Sequence, residues 1–427
     1  MTGKEAIEYL DSYYLNVTKP DLNRIITLMN ALGNPQKDLR CVHVAGTNGK
    51  GSTCAMVERM LREAGYRTGL FTSPHLIRYN ERMQVCGVPI PDDELGAIVE
   101  ELKPVAESTG LVFCEFEMTT AVGLIWFARQ KCDIVVLEVG LGGEFDATNV
   151  IECPECAVIT NIGLDHTALL GNTVEEVASA KAGIIKSGCD TVVYRSGESV
   201  EAVFAARCAQ LGARIHLADF ASIHSISSSL EGQVFDCGER KALQLGLLGE
   251  HQMKNACVAL TVIDVLRSKG WQVGEEHIRA ALSGVHWPVR FQVMQKEPLF
   301  ILDGGHNTQC IESLAVNLRT LLPGRYLVLL LGVLGDKDIE AMSDELAELA
   351  AEFVTITPES SRALPAEELA KLLKSEGKPV TVGGEIADGI EIALRHAAEH
   401  DGAVCCVGSL YQAGEVLEYF QKKEAQA

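Results

Sequence analysis

Residues 41–52 read CVHVAGTNGKGS, a short apolar run that passes directly into a glycine-rich turn carrying Lys50. A strand feeding such a turn is the layout of a phosphate-binding loop. Glycines in the turn let backbone N–H groups face an anion with no Cβ in the way. The cradle would comprise Gly46, Thr47, Asn48, Gly49, Lys50, Gly51 and Ser52. A helix predicted over 53–64 adds its N-terminal dipole, and Lys50 supplies a mobile positive charge. The chemistry indicated is the handling of a nucleoside triphosphate. The spacing is unusual, because two residues separate Gly46 from Gly49 and Gly51 stands where a hydroxyl usually follows the lysine. Taken alone, the pattern also fits a tight strand–helix turn.

Phosphoryl transfer needs a phosphate cradle, a hard cation and a positioned acceptor. The cation needs oxygen ligands. Glu138 ends the very apolar run IVVLEVG. An acid there is costly unless it is paired, solvated in a cleft or bound to metal, and a capping or surface glutamate is the plainer alternative. Ser73, in LFTSPHL, and His166, in TNIGLDH, are further candidates, although a structural histidine fits His166 equally well. Asp165 can serve the cap of the following helix. Lys181 lies in SAKAGIIK, where a solvated helix-surface lysine is the simple reading and the Ala–Gly neighbours permit close approach of another group. Glu117 falls in the apolar stretch FEMTTAVGLIWF, an expensive place for a charge unless it faces a polar cleft.

The second half carries its own cluster. Asp303 ends the run FILD and is followed by Gly304, Gly305, His306 and Asn307. Asp303 can accept from a ribose hydroxyl, and His306 can line the nucleotide or a reacting carboxylate. The alternative makes Asn307 an N-cap and Asp303 a turn residue. Arg290, in WPVRF, can reach phosphates, and Asn255, in EHQMKNACVAL, can read adenine.

These residues need a scaffold. Apolar strands fit at 40–45, 68–72, 133–139, 156–161 and 191–195, alternating with helices at 53–64, 92–106, 117–130, 174–185 and 198–211. That rhythm predicts a largely parallel sheet covered on both faces. Residues 1–38 read as helical with a break near Lys19-Pro20, and 212–248 as short strands forming a small antiparallel extension. Helices follow at 251–268 and 275–283, and the loop 284–291 marks a boundary. Beyond it the rhythm restarts, with strands at 299–303, 326–331, 353–356, 379–381 and 403–407 and helices at 307–320, 337–350, 365–375, 384–399 and 412–421. The fold class is α/β with two domains, 1–291 and 292–427. The polar clusters fall at the carboxyl ends of strands, where doubly wound sheets bind ligands.

Composition narrows the function. The 427 residues include 58 acidic and 37 basic side chains, a formal charge of -21, which argues against a nucleic-acid binder. No apolar run reaches membrane-spanning length, and the N-terminus has no signal-peptide core, so a cytoplasmic protein with no membrane partner is expected. The 14 cysteines are scattered and read as reduced, mostly buried thiols. Cys153 and Cys156 form a CPEC pair, but no second pair stands at zinc-site spacing.

Taken together the segments resemble the folylpolyglutamate synthase and dihydrofolate synthase family, the folate branch of the Mur ligase superfamily. The matching stretches include HVAGTNGKGS at 43–52, TSPHLIRYNERMQV at 72–85, FEMTT at 116–120, EVGLGGEFDATN at 138–149, TNIGLDH at 160–166, LGNTVEEVASAKAGIIK at 170–186, HQMKNACVA at 251–259, WPVRFQV at 287–293, DGGHN at 303–307, GVLGDKD at 332–338 and GSLYQAGEV at 408–416. They run in family order over nearly the whole chain, and GTNGKG is this family's own form of the loop. One departure is Gly305, where the family usually has alanine.

The resemblance implies a P-loop N-terminal domain and a smaller Rossmann-like C-terminal domain with the active site between them. It implies ATP-dependent joining of L-glutamate to a reduced folate or dihydropteroate through an acyl phosphate. Lys50 matches the phosphate-binding lysine, Ser73, Glu138 and His166 match magnesium ligands, and Lys181 matches a lysine carbamylated in relatives, which would help hold a second magnesium. Asn255, Arg290, Asp303 and His306 match nucleotide contacts. The segment 72–82, with Thr72, Pro74, His75 and Arg82, matches a mobile loop of the folate site, to which Phe116, Glu117, Asp146 and Ala147 also belong. Lys50, Lys181 and His306 would be the catalytic set. A monovalent cation such as potassium would be a further cofactor, and the protein would be a monomer. The DATN form at 146–149 resembles members that use both acceptors. Rival readings are a Mur-type ligase acting on a UDP-linked peptidoglycan precursor, which more often has threonine after the loop lysine, and a nucleotide-binding regulatory protein without ligase activity. A dinucleotide dehydrogenase would need a GxGxxG turn that the chain lacks.

Overall fold

The structure, a computed structural model, describes residues 1–13, 21–335 and 339–425. The chain divides into two compact units. The first comprises Met1–His224, Asp236–Gln244 and Met253–Val285, and the second Ser225–Phe235, Leu245–Gln252 and His286–Ala427.

The first unit is built on eight strands: β1 (Cys41–Ala45), β2 (Thr68–Phe71), β3 (Met83–Val85), β4 (Val88–Pro89), β5 (Ile134–Glu138), β6 (Cys156–Ile159), β7 (Asp190–Val193) and β8 (Arg214–Leu217). Their order in the sheet is β4-β3-β2-β5-β1-β6-β7-β8. All pairings from β2 to β8 are parallel, whereas β3 and β4 run antiparallel at the edge. The central strands are buried along their whole length because both faces are covered. Phe71, Val135 and Leu137 pack with residues of the helices Asp92–Ser108 and Glu115–Arg129. Ala45, Ala157 and Ile159 belong to a second core with residues of the helices Val174–Lys181 and Glu198–Leu211.

β1 is the switch point of this sheet. The chain goes from β1 to β2 on one side, fills the gap with β5, and then crosses to β6 on the other side. Val44 lies opposite Glu138 and Ala45 opposite Ile159, so the loops leaving β1, β5 and β6 emerge side by side. Such a crevice is where doubly wound sheets place their ligands.

Three details differ from the sequence reading. The segment ARIHL was expected in an antiparallel extension, but β8 joins the main sheet in parallel, with Asp190 opposite Arg214. It follows a helix, so it completes one more strand–helix–strand crossover. The β3–β4 hairpin was not anticipated, because its second strand is only two residues long and exposed. The helix after β1 begins at Lys50 rather than at residue 53, so Lys50, Gly51 and Ser52 form its first turn. The predicted break near Lys19-Pro20 lies outside the described residues.

The short segments that follow form a three-stranded sheet, in order β11-β10-β9, from β9 (Ile223–Ser229), β10 (Gly232–Cys237) and β11 (Arg240–Leu245). The second unit contains a six-stranded sheet of β12 (Gln292–Lys296), β13 (Leu299–Leu302), β14 (Leu327–Leu331), β15 (Glu352–Ile356), β16 (Val380–Gly384) and β17 (Ala403–Val407), in order β12-β13-β17-β14-β15-β16. Five strands are parallel and β12 is antiparallel to β13. β12 escaped the sequence reading because QVMQK is half-exposed along its length and lacks apolar alternation. Asn307 caps the helix Thr308–Leu321 by accepting from Cys310 N–H, as one of the two sequence readings expected. No helix among the described residues is long and apolar enough to cross a membrane.

Candidate active site

The glycine-rich loop leaves β1 and closes onto the segment after β6. Thr47 N–H donates to the Asn161 carbonyl at 2.7 Å, and Thr47 Oγ1 donates to the Gly163 carbonyl at 3.0 Å. Thr160 Oγ1 donates to the Asn48 carbonyl at 2.9 Å. This close approach dictates Gly46, since a Cβ there would lie 1.8 Å from Thr160 Oγ1. Gly49 has φ 83°, the left-handed region that glycine enters without strain, and a Cβ on it would lie 2.5 Å from Asn255 Oδ1. Asn255 is buried on the helix Glu250–Ser268 and abuts the turn, a placement that sequence spacing could suggest only through the resemblance.

Gly49 is also the N-cap of the helix Lys50–Glu63 and supplies no side-chain hydrogen bond to it. A glycine N-cap puts no side-chain oxygen of its own over the first turn, as suits an anion cradle. Lys50 Nζ folds back on the carbonyls of Gly46 and Thr47, at 3.2 Å each. Beneath the loop, Lys181 is 4% exposed and its Nζ donates to the Gly46 carbonyl at 2.8 Å. It is no solvated surface lysine. Burial, reinforced by the Lys50 charge, lowers the Lys181 ammonium to about 7, against the opposing pull of Asp165 and Asp146. The same interactions place Lys50, Asp165 and Asp146 within electrostatic reach of Lys181.

Glu138 is 5% exposed at the end of β5, and its Oε2 accepts from Ser73 N–H at 3.1 Å. The acid that the sequence left between a cap and a metal ligand is therefore buried beside Ser73. Cys54, on the first helix after the loop, feels the charges of both Glu138 and Lys50. His166 adopts φ 50° and its side chain is 53% exposed, with Nε2 4.0 Å from Asp165 Oδ1. Asp165 Oδ1 accepts from His166 N–H, while the short helix Thr167–Leu170 has no side-chain cap. No cluster of three or more His, Cys, Asp or Glu side chains suited to a metal occurs among the described residues. A buried carboxylate beside a hydroxyl nevertheless suits magnesium, a hard cation that keeps several waters and borrows oxygens from bound phosphate.

The segment after β2 is tied down from within. Leu76, Ile77 and Arg78 N–H groups all donate to the Glu81 carboxylate, the nearest at 2.8 Å. Thr72 N–H donates to the Arg82 carbonyl. Arg82 donates to His75 Nδ1 at 2.9 Å, pairs with Glu115 at 3.2 Å and lies 4.9 Å from the Tyr79 ring centre. Burial and the Arg82 charge push His75 down to about 4, so it is neutral and accepts that bond. The Ser73–Pro74 peptide is cis. Phe116 packs edge-on against Phe71, with ring centres 5.9 Å apart. Asp146 caps the turn Ala147–Val150, accepting from Thr148 and Leu141 N–H groups, and burial raises its carboxyl. Ala147 is buried behind it.

Glu117 turns out to have a partner that its sequence context did not reveal. Arg24 pairs with it at 2.9 Å, the two side chains being 15% and 5% exposed, and Cys114 N–H also donates to it. Arg24→Met should leave that carboxylate buried without its cation and destabilise the protein by about 3–5 kcal/mol. Urea unfolding reads this directly; a loss below about 1 kcal/mol would show that Glu117 is solvated.

In the second unit, Asp303 Oδ1 and Oδ2 accept from Gly305 and Phe291 N–H groups at 2.8 and 2.9 Å. Asp303 thus acts as a turn residue, and burial raises its carboxyl while Arg290 opposes the rise. The same bonds fix Arg290, whose neighbours Val289 and Phe291 both take positive φ, 55° and 48°. These are strained values for a β-branched and an aromatic residue, and they mark a backbone held for a purpose. His306 Nδ1 lies 3.0 Å from the Gly304 carbonyl, so Nδ1 carries the proton in that bond. A Cβ on Gly305 would stand 3.0 Å from Asp303 Oδ1 and 3.3 Å from Cys310 Cβ, so the family's alanine needs only a small adjustment.

A phosphate cradle on the central strand of a parallel sheet, with a buried acid and a buried lysine at its rim and a separate smaller α/β unit, defines an ATP-dependent ligase of the Mur type. The Mur ligase middle domain matches residues 44–263, and the Mur ligase glutamate ligase domain matches residues 289–410. A Bacillus subtilis dihydrofolate synthase/folylpolyglutamate synthase is 38% identical over 348 residues, covering 78% of this chain and 80% of its own. The folylpolyglutamate synthase of Lacticaseibacillus casei is 33% identical over 433 residues and 98% of both chains. Among solved structures, Mycobacterium tuberculosis folylpolyglutamate synthase complexed with ADP superposes with a TM-score of 0.90 at 32% identity over 98% of both chains. An Escherichia coli relative in complex with DHPP and ADP gives 0.87 at 29% identity over 99% of both. The chain belongs to the folylpolyglutamate synthase/dihydrofolate synthase family, the folate branch of the Mur ligase superfamily.

Proposed function

We propose that this ligase joins L-glutamate to the carboxylate of a reduced folate and of dihydropteroate, converting ATP to ADP and phosphate. The observation that carries this reading is the cradle of Gly46–Ser52 residues at the end of β1, with Lys50 above it and buried Lys181 and Glu138 beside it. A carboxylate is a poor acyl donor because oxide is a poor leaving group. Its oxygen attacks the γ-phosphorus in line, the bridging P–O bond breaks, and ADP leaves with the electron pair. The glutamate amine then attacks the acyl phosphate carbonyl, the C–O bond to phosphate breaks, and the amine gives up a proton.

Lys50 and the first-turn N–H groups hold the phosphates and stabilise the charge that shifts to the bridging oxygen. Asn255 holds the loop and faces the base. Ser73, Glu138 and His166 would hold magnesium, which when bound neutralises charge on the phosphate oxygens. Thr72, Pro74, His75, Arg82, Phe116, Asp146 and Ala147 would line the folate site. Arg290, Asp303 and His306 would complete the nucleotide contacts, with His306 near the reacting groups, and a monovalent cation such as potassium would assist. Glu117, paired with Arg24, serves the folate site by holding the first turn of its helix in place. Residues 1–291 would bind ATP and folate and 292–427 would form the ligase domain of a cytoplasmic monomer.

Lys181 takes a specific chemical part. Held at about 7, it is substantially neutral near neutrality, and only the neutral amine attacks carbon dioxide. Its carbamate keeps one N–H for the Gly46 carbonyl and turns a cation into an anion beside the metal site. Because deprotonation precedes attack, stimulation by bicarbonate should grow as pH rises through about 7. Lys181→Ala should lower turnover about 10–100-fold, with partial rescue by a small carboxylate. A carbamate carbon signal after labelling with 13C-bicarbonate checks the assignment; its absence at pH 8 would refute it.

The proposal as a whole is tested by ATP-dependent incorporation of labelled glutamate with each acceptor offered separately. Dual use of both acceptors is favoured by Ala147 in DATN, and product with tetrahydrofolate alone would reduce the assignment to polyglutamate synthesis.

A further inference from the structure

We propose that His43 and Thr148 are positioning residues for the acceptor substrate: a buried hydrogen-bond chain from His43 through Thr148 holds the Asp146 carboxylate in one orientation. The inference rests on the reading of Asp146 as a folate-site residue and adds two side chains behind it. His43 lies in the middle of β1, opposite Leu137 of β5 and Ala157 of β6, and is fully buried. Thr148, in the turn Ala147–Val150, is fully buried as well.

The two meet across 105 residues of sequence, His43 Nε2 standing 2.8 Å from Thr148 Oγ1. Thr148 Oγ1 donates in turn to Asp146 Oδ1, the oxygen that also accepts from Thr148 N–H at 3.0 Å. Asp146 Oδ2 accepts from Leu141 N–H at 2.9 Å. Three donors thus fix the carboxylate, and two of them belong to Thr148.

The direction of the protons follows from chemistry. An ionised carboxylate only accepts, so the Thr148 hydroxyl proton points at Asp146 and its oxygen is left to accept. His43 must then carry its proton on Nε2. Burial, with the Lys186 charge adding to it, pushes the imidazole down to about 3, so it is neutral and has one N–H to give. Nδ1 remains an acceptor, buried and with no hydrogen-bond partner among the described residues. A valine or leucine on a buried parallel strand would carry no unpaired nitrogen, and a buried unpaired acceptor is costly. What the imidazole supplies in return is the donor to Thr148.

A hydroxyl that accepts one hydrogen bond donates a stronger one. This bears on Asp146, because burial raises its carboxyl and the Thr148 hydroxyl is the foremost of the groups that oppose the rise. The backbone of the turn is held separately. Asn149 Nδ2 donates to the Glu144 carbonyl at 2.9 Å and to the Gly183 carbonyl at 3.2 Å. Removing the Thr148 hydroxyl therefore loosens the carboxylate rather than the turn.

Steady-state kinetics of the full-length protein with dihydropteroate and with tetrahydrofolate test this, with ATP varied in parallel and urea unfolding of the same samples. Thr148→Val should raise the acceptor KM about tenfold or more, the low end of what one hydrogen bond to a charged group is worth, and Thr148→Ser should restore it. The KM for ATP should stay within about twofold of the parent value, which a general loosening of the fold would not spare. His43→Leu should act in the same direction as Thr148→Val. His43→Gln, whose amide can offer an N–H in place of Nε2, should return the parent value. If Thr148→Val does not fold, the two His43 variants carry the test, and loss of folding in His43→Leu as well would assign the pair to stability and overturn the proposal. A folded Thr148→Val or His43→Leu protein with an acceptor KM within about twofold of the parent would also overturn it, as would an ATP KM that rises in step. A parent protein that ligates glutamate to neither acceptor would instead overturn the folate reading, and this proposal with it.

Discussion

Lys50→Ala is expected to lower the rate of glutamate ligation by about 10²–10³-fold, the effect of removing one preorganised group from a site of developing charge. Its Nζ rests on two loop carbonyls, Gly46 and Thr47, and among the described residues on no distant element. Removing it should therefore leave the secondary structure and the unfolding midpoint nearly unchanged, because the loop itself is held by Thr47, Thr160 and Asn161. The substitution separates charge from architecture. Circular dichroism and urea unfolding should superpose on the parent protein while ATP-dependent product formation collapses. Turnover within about tenfold of the parent would remove Lys50 from the transition state.

Glu138→Gln should have an effect of similar size for a different reason. The amide keeps an oxygen that can accept from Ser73 N–H, so the end of β5 should hold its shape. It loses the negative charge needed to hold a divalent cation, and metal stabilisation of a transferring phosphoryl group is worth several kcal/mol. A drop of about 10²-fold or more is expected, together with a higher magnesium concentration for half-maximal rate. An unchanged magnesium dependence would assign Glu138 to the architecture of the β2–β5 edge alone.

Much of this site was legible because its chemistry is local in sequence. The loop 43–52 carries its own glycines, its lysine and its strand, and the strand–helix rhythm places it at a carboxyl end. Asn307 as a cap could be read in the same way. What escaped depends on partners far along the chain. Arg24 meets Glu117 across 93 residues, so the apolar helix around Glu117 gave no hint of a cation. Lys181 looks like a surface lysine until the helix Val174–Lys181 packs its last turn under Gly46. β8 reads as part of a small antiparallel extension, and only its register against β7 makes it the eighth member of the main sheet. β12 is half-exposed and irregular between Val293 and Gln295, so period-two alternation could not announce it. The left-handed Val289 and Phe291 contradict their own preferences, and the bonds from Asp303 and Gly304 impose them.

The most direct test of the central claim is incorporation of labelled L-glutamate by the purified protein with magnesium and ATP, dihydropteroate and tetrahydrofolate being supplied in separate reactions. The account predicts glutamylated product from each acceptor, with one ADP released per amide bond. Absence of product from both, with ligation instead on a UDP-linked peptidoglycan precursor or with no glutamate-dependent ADP release at all, would contradict it.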